Sequence, residues 1–534
     1  MRFTHAAKPA VVALSAFILL SMLACAMGGT YKMASMPAPA AVAVSPTGEP
    51  LLDVQMAERE FNTESYSHVV ENPFLAVANN PLSTFAADVD TASYANVRRF
   101  LGMGQLPPPD AVRIEELINY FTYDYEPPRD GPFAAHLEVT HAPWNREHLL
   151  ARVGLKAREL PRGQRPPSNL VFLIDVSGSM SDPHKLPLLK KAFRMLVDQL
   201  DERDRVALVV YAGDTGVLLQ PTGGEQKDRI ASAIEKLGAG GSTNGAGGIE
   251  LAYRIASENF RPGGVNRVVL ATDGDFNVGV TSEGSLVRLI EEKAKTGVFL
   301  TVLGFGMGNY KDSTVEKLAD KGKGNYAYID AELEAKKVLV EEMGSTLVTV
   351  AKDVKLQVEF NPVRVASWRL IGYENRVMRA EDFKDDQKDA GAVGAGHAVT
   401  ALYELVPAGR ASEAGEVGAL KYQKARTLSS AAASEELFSL KIRYKDPEAA
   451  ASHELTFPAP VQVRPEPSHE LRFAASVAAF GMLLRDSPNK GAANFDLVLS
   501  LAEQARGQDP GGYRGEFAEL VRGAARLKGS RAER

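Results

Sequence analysis

Cysteine is all but missing: Cys25 is the only one in 534 residues, and a lone thiol cannot close an internal disulfide. Nine histidines form no ligand spacing, so the pattern a zinc site would require is lacking as well. No sign of charge dominates. Sixty-one Lys and Arg stand against 67 Asp and Glu, a net charge of -6 dispersed along the chain, and nothing in it points to nucleic acid. The one long apolar run, Ala10 to Ala24, falls short of a membrane span.

What is present begins with that run. Arg2 and Lys8 precede it and Phe17-Ile-Leu-Leu20 lies within it, the charged-then-apolar order of a secretory signal over residues 1–24. At this length the chain holds several domains, each able to bury its own core. Its 30 prolines and 46 glycines cluster and mark linkers. Residues 25–60, rich in Ala, Met, Pro and Gly, read as a tether spanning on the order of 30 Å as a coil.

The chemistry gathers around Leu170-Val-Phe-Leu-Ile-Asp-Val-Ser-Gly-Ser-Met180. Its unbroken apolar half predicts a central strand of a parallel sheet covered on both faces. Asp175, Ser177 and Ser179 then leave the strand end together, half of the oxygen shell a hard divalent cation takes. Two later stretches fit the other half. Gly240-Gly241-Ser242-Thr243-Asn244-Gly245 offers a hydroxyl on a loop, and Asn266-Arg-Val-Val-Leu-Ala-Thr-Asp273-Gly274 is a second buried strand ending in a carboxylate. If the two strands are neighbours where the winding of the sheet reverses, Asp175 and Asp273 face one crevice. Singly, these hydroxyls would also suit helix caps and Asp273 a turn.

Asp-x-Ser-x-Ser, a Gly-Gly-Ser-Thr loop and Thr-Asp-Gly after a strand together resemble the metal-ion-dependent adhesion site of von Willebrand factor type A domains. The resemblance places Asp175, Ser177, Ser179, Thr243 and Asp273 as ligands of Mg²⁺ or Mn²⁺. It implies an open position filled by an Asp or Glu carboxylate of a partner protein. The ending Met22-Leu23-Ala24-Cys25 resembles a bacterial lipobox, which implies lipidation of Cys25 and attachment to a membrane of the cell envelope. Ala26 in place of Asp goes with outer-membrane sorting in such lipoproteins. From Cys25 onward the arrangement is similar to a family of bacterial von Willebrand factor A lipoproteins.

Taken in order, residues 61–167 form a companion region with two helices, Tyr94 to Leu101 and Val112 to Phe121, and then period-two strands from Phe133 to Leu155. Residues 168–346 alternate strands and helices as a doubly wound α/β domain requires, ending in a long helix from Ala331 to Gly344. Residues 347–466 return to period two. Val354 to Phe360 and Phe438 to Tyr444 alternate, with Val399 to Leu405 as a partner, and Lys384 to Gly396 and Ala408 to Ala433 are unordered loops. Strands before Leu170 and after Val348 are expected to pair into one β-sandwich from which the α/β domain projects. Residues 467–534 are helical, Ser468 capping a helix to Arg485 with Phe473, Val477, Phe480 and Leu484 on its apolar face.

A rival reading attaches to Asp88-Val-Asp90-Thr91, since Asp-x-Asp-x-Thr after an apolar strand is the nucleophile motif of haloacid-dehalogenase-type phosphatases. The lysine and acid loop such a phosphatase needs are not evident, and Asp90 or Thr91 suits the cap of the helix that follows. The leading expectation is an envelope-anchored binding protein with no catalytic constellation. A metal-dependent hydrolase or phosphatase is the alternative.

Overall fold

The computed structural model describes residues 64, 66–87, 89–241, 245–274, 283–306, 312–342, 348–388, 390–415, 427–447, 449, 451–459 and 462–532. Residues 1–63, which include the stretches expected to be a signal and a tether and Cys25, lie outside the described residues. Three six-stranded sheets carry the fold.

The α/β sheet runs, edge to edge, Tyr326–Ile329, Phe299–Phe305, Val265–Thr272, Ser168–Asp175, Arg205–Tyr211 and Thr215–Gly223. All pairs are parallel except the last, where Thr215–Gly223 turns back as an antiparallel edge. Ser168–Asp175 is central and wholly buried, as its apolar run predicts. Successive residues there serve opposite cores. Leu170, Phe172 and Ile174 meet the Leu186–Asp198 helix on one face, while Val171 and Leu173 meet the Gly245–Glu258 helix on the other. The chain builds outward from the central strand in one direction and then returns to build in the other, so the winding reverses between Ser168–Asp175 and Val265–Thr272.

The other two sheets face each other. One orders Leu75–Ala76, Val365–Ile371, Ala398–Pro407, Asn145–Ala157, Phe133–Ala142 and Val463–Arg464. Its partner orders Val377–Met378, Leu82–Ala86, Thr349–Phe360, Phe438–Lys445 and Ser452–Pro458, with Val393–Gly394 also beside Thr349–Phe360. Strands from both sides of the α/β domain therefore share sheets, and the expected sandwich with an inserted domain is the observed topology. Its core joins Phe85, Val153, Leu356, Trp368, Tyr403 and Phe438. Period two leaves open which sheet a strand joins. Ala398–Pro407 pairs with Asn145–Ala157 and Val365–Ile371, across the core from the Thr349–Phe360 strand it was expected to join.

Three further expectations change. Val393, in a stretch read as unordered, is 1% exposed in the sandwich core because it pairs with Ala351. The helix expected from Ala331 to Gly344 is α-helical over Glu332–Lys336 and widens to a π-helix over Lys337–Glu341. Ser468 does cap the His469–Arg485 helix, accepting from the Leu471 amide at 3.2 Å, but that helix is buried all round. The helices Ala92–Gly102 and Ile114–Asn119 pack in one cluster with it, together with Phe495–Gln504 and Tyr513–Ala532. No helix among the described residues is long and apolar enough to cross a membrane.

Candidate functional site

Two neighbouring strands end at one crevice. Ser168–Asp175 and Val265–Thr272 run in parallel register, Ile174 opposite Ala271, so Asp175 and Asp273 emerge side by side where the winding reverses. Gly274, at φ +82, lets the chain leave Asp273 in a turn that L-residues avoid. The turn after Asp175 is closed by its own motif: the Ser177 amide donates to Asp175 Oδ1 at 2.9 Å, and the Ser177 and Ser179 hydroxyls lie 3.0 Å apart.

Neighbouring strands brace Asp175 from behind. Tyr211 and Thr272 hydroxyls both donate to its Oδ2 at 3.2 Å. Tyr211 stands opposite Asp175 in the adjoining strand, and burial beside that carboxylate holds its phenol protonated, as a donor must be. Burial pushes the Asp175 carboxyl above its ordinary range and the Ser177 and Tyr211 hydrogen bonds oppose it, while the charge of Asp273 adds to the rise.

Asp273 is gripped by a cation of the protein's own. Lys185 Nζ donates to its Oδ2 at 2.9 Å, with side chains 8% and 1% exposed. The Gly-Gly-Ser-Thr loop approaches from a third direction. Gly240 donates to the Val176 carbonyl at 2.8 Å and Gly178 to the Gly241 carbonyl at 3.2 Å, pinning the described end of the loop to the Asp175 turn. Thr243 itself lies outside the described residues. Ser179 and Gly241 are exposed while Asp175, Ser177 and Asp273 are buried, so the site opens to solvent on the hydroxyl side.

Four of the five residues singled out in the sequence thus lie on two adjacent loops. The donor set is oxygen only, two carboxylates and two hydroxyls, which fits a hard cation such as Mg²⁺ or Mn²⁺ and not zinc. Among the described residues no group of three or more His, Cys, Asp or Glu could hold a metal ion, so the hydroxyls are indispensable to any cation site here. Sequence reasoning missed Lys185, Tyr211 and the bracing by Thr272. Thr272 is adjacent to Asp273 in the motif, but only strand register brings Tyr211 opposite Asp175, and only the packing of the Leu186–Asp198 helix brings Lys185 to Asp273.

The phosphatase motif fares differently. Asp90 accepts the Tyr326 amide at 3.0 Å and pairs with Arg376 at 3.1 Å, so its carboxylate is spent on docking the α/β sheet. It does not cap the Ala92–Gly102 helix, and Thr91, at the cap position, makes no side-chain cap bond either. Asp88 lies outside the described residues.

Three family models match in tandem: "von Willebrand factor" over residues 60–152, "von Willebrand factor type A domain" over 169–342, and "Uncharacterized protein YfbK, C-terminal" over 345–527. The chain is 44% identical over 467 residues to "Uncharacterized protein YfbK" of Escherichia coli (strain K12), covering 86% of this chain and 80% of that protein. The chain belongs to the YfbK family of bacterial von Willebrand factor type A proteins. This YfbK-family chain is also 29% identical over 194 residues to "Uncharacterized protein sll0103" of Synechocystis, 36% of this chain and 44% of that one. Among solved structures it is similar to the von Willebrand factor type A protein from Catenulispora acidiphila, at 18% identity and a TM-score of 0.40, covering 72% of the YfbK-family chain and 89% of that one. Type A domains commonly bind other proteins.

Proposed function

We propose that this protein is an envelope-anchored binding protein. In this reading Asp175, Ser177, Ser179, Thr243 and Asp273 hold Mg²⁺ or Mn²⁺, and the site grips an exposed Asp or Glu of a partner protein. The single observation that carries the reading is the convergence of Asp175, Ser177, Ser179 and Asp273 at the reversal point of the sheet, open to solvent beside Ser179. A bound dication supplies an electrophilic position that a carboxylate can fill. Tyr211, Thr272 and the Ser177 amide fix the orientation of Asp175 in advance, so little ordering is left to pay for at binding. Lipidation at Cys25 would tether the body to a membrane, in this reading the outer one, through the chain before residue 61.

The test is a crosslinked pull-down from envelopes with the full chain, in Mg²⁺ and in EDTA, wild type beside Asp273→Ala. Capture is expected only from wild type in Mg²⁺. Equal capture by Asp273→Ala, folded by circular dichroism, would refute the role of the site.

A further inference from the structure

We infer that Lys185 sets the charge of the candidate cation site and through it the site's preference for an acidic ligand, an inference that rests on the metal reading proposed above. Lys185 is not a surface lysine that happens to reach an acid. It stands at the start of the Leu186–Asp198 helix, its amide donating to the Asp182 carbonyl at 2.9 Å and its carbonyl accepting from Leu189 at 2.8 Å, so its backbone position is fixed. From there the side chain runs inward to Asp273 Oδ2. Its stem crosses Gly306, at φ +88, where a Cβ would come within 2.2 Å of the lysine Cε. The end of the Phe299–Phe305 strand is thus bare of side chain where the lysine passes, and a buried ammonium persists only with such a partner as Asp273.

The charge balance follows. Asp175 and Asp273 alone would neutralise a dication, leaving only the local electrophilicity of the ion to favour an acidic ligand at the open position. With Lys185 held against Asp273, the loaded site carries one positive charge in excess. That surplus has two consequences of opposite sign. It repels an incoming cation, so the lysine weakens metal binding, and it attracts an anion to the loaded site, so the lysine strengthens the acidic ligand. A lysine kept only for packing would produce neither pairing of effects.

The experiment uses the full chain with Mn²⁺ as probe, wild type beside Lys185→Met and Lys185→Arg. Free Mn²⁺ is counted by electron paramagnetic resonance. Acetate, with neutral acetamide as control, is then titrated against the water bound to loaded Mn²⁺, read by proton relaxation. Lys185→Met is expected to bind Mn²⁺ about tenfold more tightly and to need about tenfold more acetate. Lys185→Arg, which keeps the charge, is expected to stay within about twofold of wild type on both counts. Circular dichroism checks that each variant is folded. Equal Mn²⁺ affinity in wild type and folded Lys185→Met overturns the inference and leaves the metal reading standing. Absence of Mn²⁺ binding in both overturns the metal reading and this inference with it.

Discussion

Glu115 shows what a single residue stores in this fold. It lies in the first turn of the Ile114–Asn119 helix, almost wholly buried, and burial, with the charge of Glu374 nearby and against the opposing pull of Arg485, pushes its carboxyl up to about 7. Between the unfolded value of 4.5 and about 7 the folded chain holds a proton the unfolded chain has released. Stability therefore falls as pH rises through that window and is unaffected by this group below it. Glu115→Gln removes the ionisation and is expected to stabilise the protein at pH 8 by on the order of 3 kcal/mol, with little change at pH 4.5. Urea denaturation at both pH values measures it, and an identical decline in wild type and variant would contradict the assignment. Asp175, Ser177, Ser179 and Asp273 were legible because their chemistry is written in local spacing. Glu115, Lys185 and Tyr211 were not, because each acquires its role from a neighbour distant in sequence.

Among the elements, the His469–Arg485 helix is buried along nearly its whole length in the helical cluster. Phe480, 1% exposed, meets Phe517 edge-to-face at 5.4 Å and Phe495 at 6.5 Å. Its truncation in Phe480→Ala is expected to cost about 3–5 kcal/mol, the price of an aromatic cavity, read as a lowered urea midpoint. A loss under about 1 kcal/mol would mean the helices close over the gap. Strands and helices were largely readable from period, since an apolar run or an alternation survives whatever packs on it. The failures came where a partner decides. Small residues are informative even there: Ala474, Ala475 and Ala478, on the face of His469–Arg485 opposite Phe480, suggest close helix contact in sequence, and all three are buried in the helical cluster. Gly481 shows how closely, since a Cβ there would lie 2.9 Å from Ile114. Asp90 was read as a cap because Arg376 and Tyr326, which claim it, are remote in the chain.

At the scale of the molecule, Arg98 joins the inserted domain to the helices. From the Ala92–Gly102 helix it reaches Glu334 at 2.7 Å, Glu516 at 3.1 Å and both oxygens of Asp330, and Tyr120 completes the group by donating to Glu334 at 2.8 Å. Arg98→Met leaves three carboxylates facing one another with their cation gone, and is expected to cost about 3–5 kcal/mol. Adding Glu334→Gln should recover part of that loss in a double-mutant cycle. Strict additivity would show that the two do not interact. The sandwich split around the α/β domain was foreseeable, since lone period-two strands on both sides needed a common sheet. Union of the 92–119 helices with those after 468 was not, because an amphipathic pattern does not name its partner. The split sandwich also orders events in time. Leu82–Ala86 pairs with Thr349–Phe360, Ala86 opposite Lys355, about 270 residues later in the chain. At a synthesis rate of roughly 5–20 residues per second, the early strand waits on the order of tens of seconds for its neighbour, with Phe85 uncovered. All six strands of the α/β sheet have emerged by Ile329, before that neighbour exists. The middle of the chain is therefore the first part able to set, and the two ends close round it afterwards.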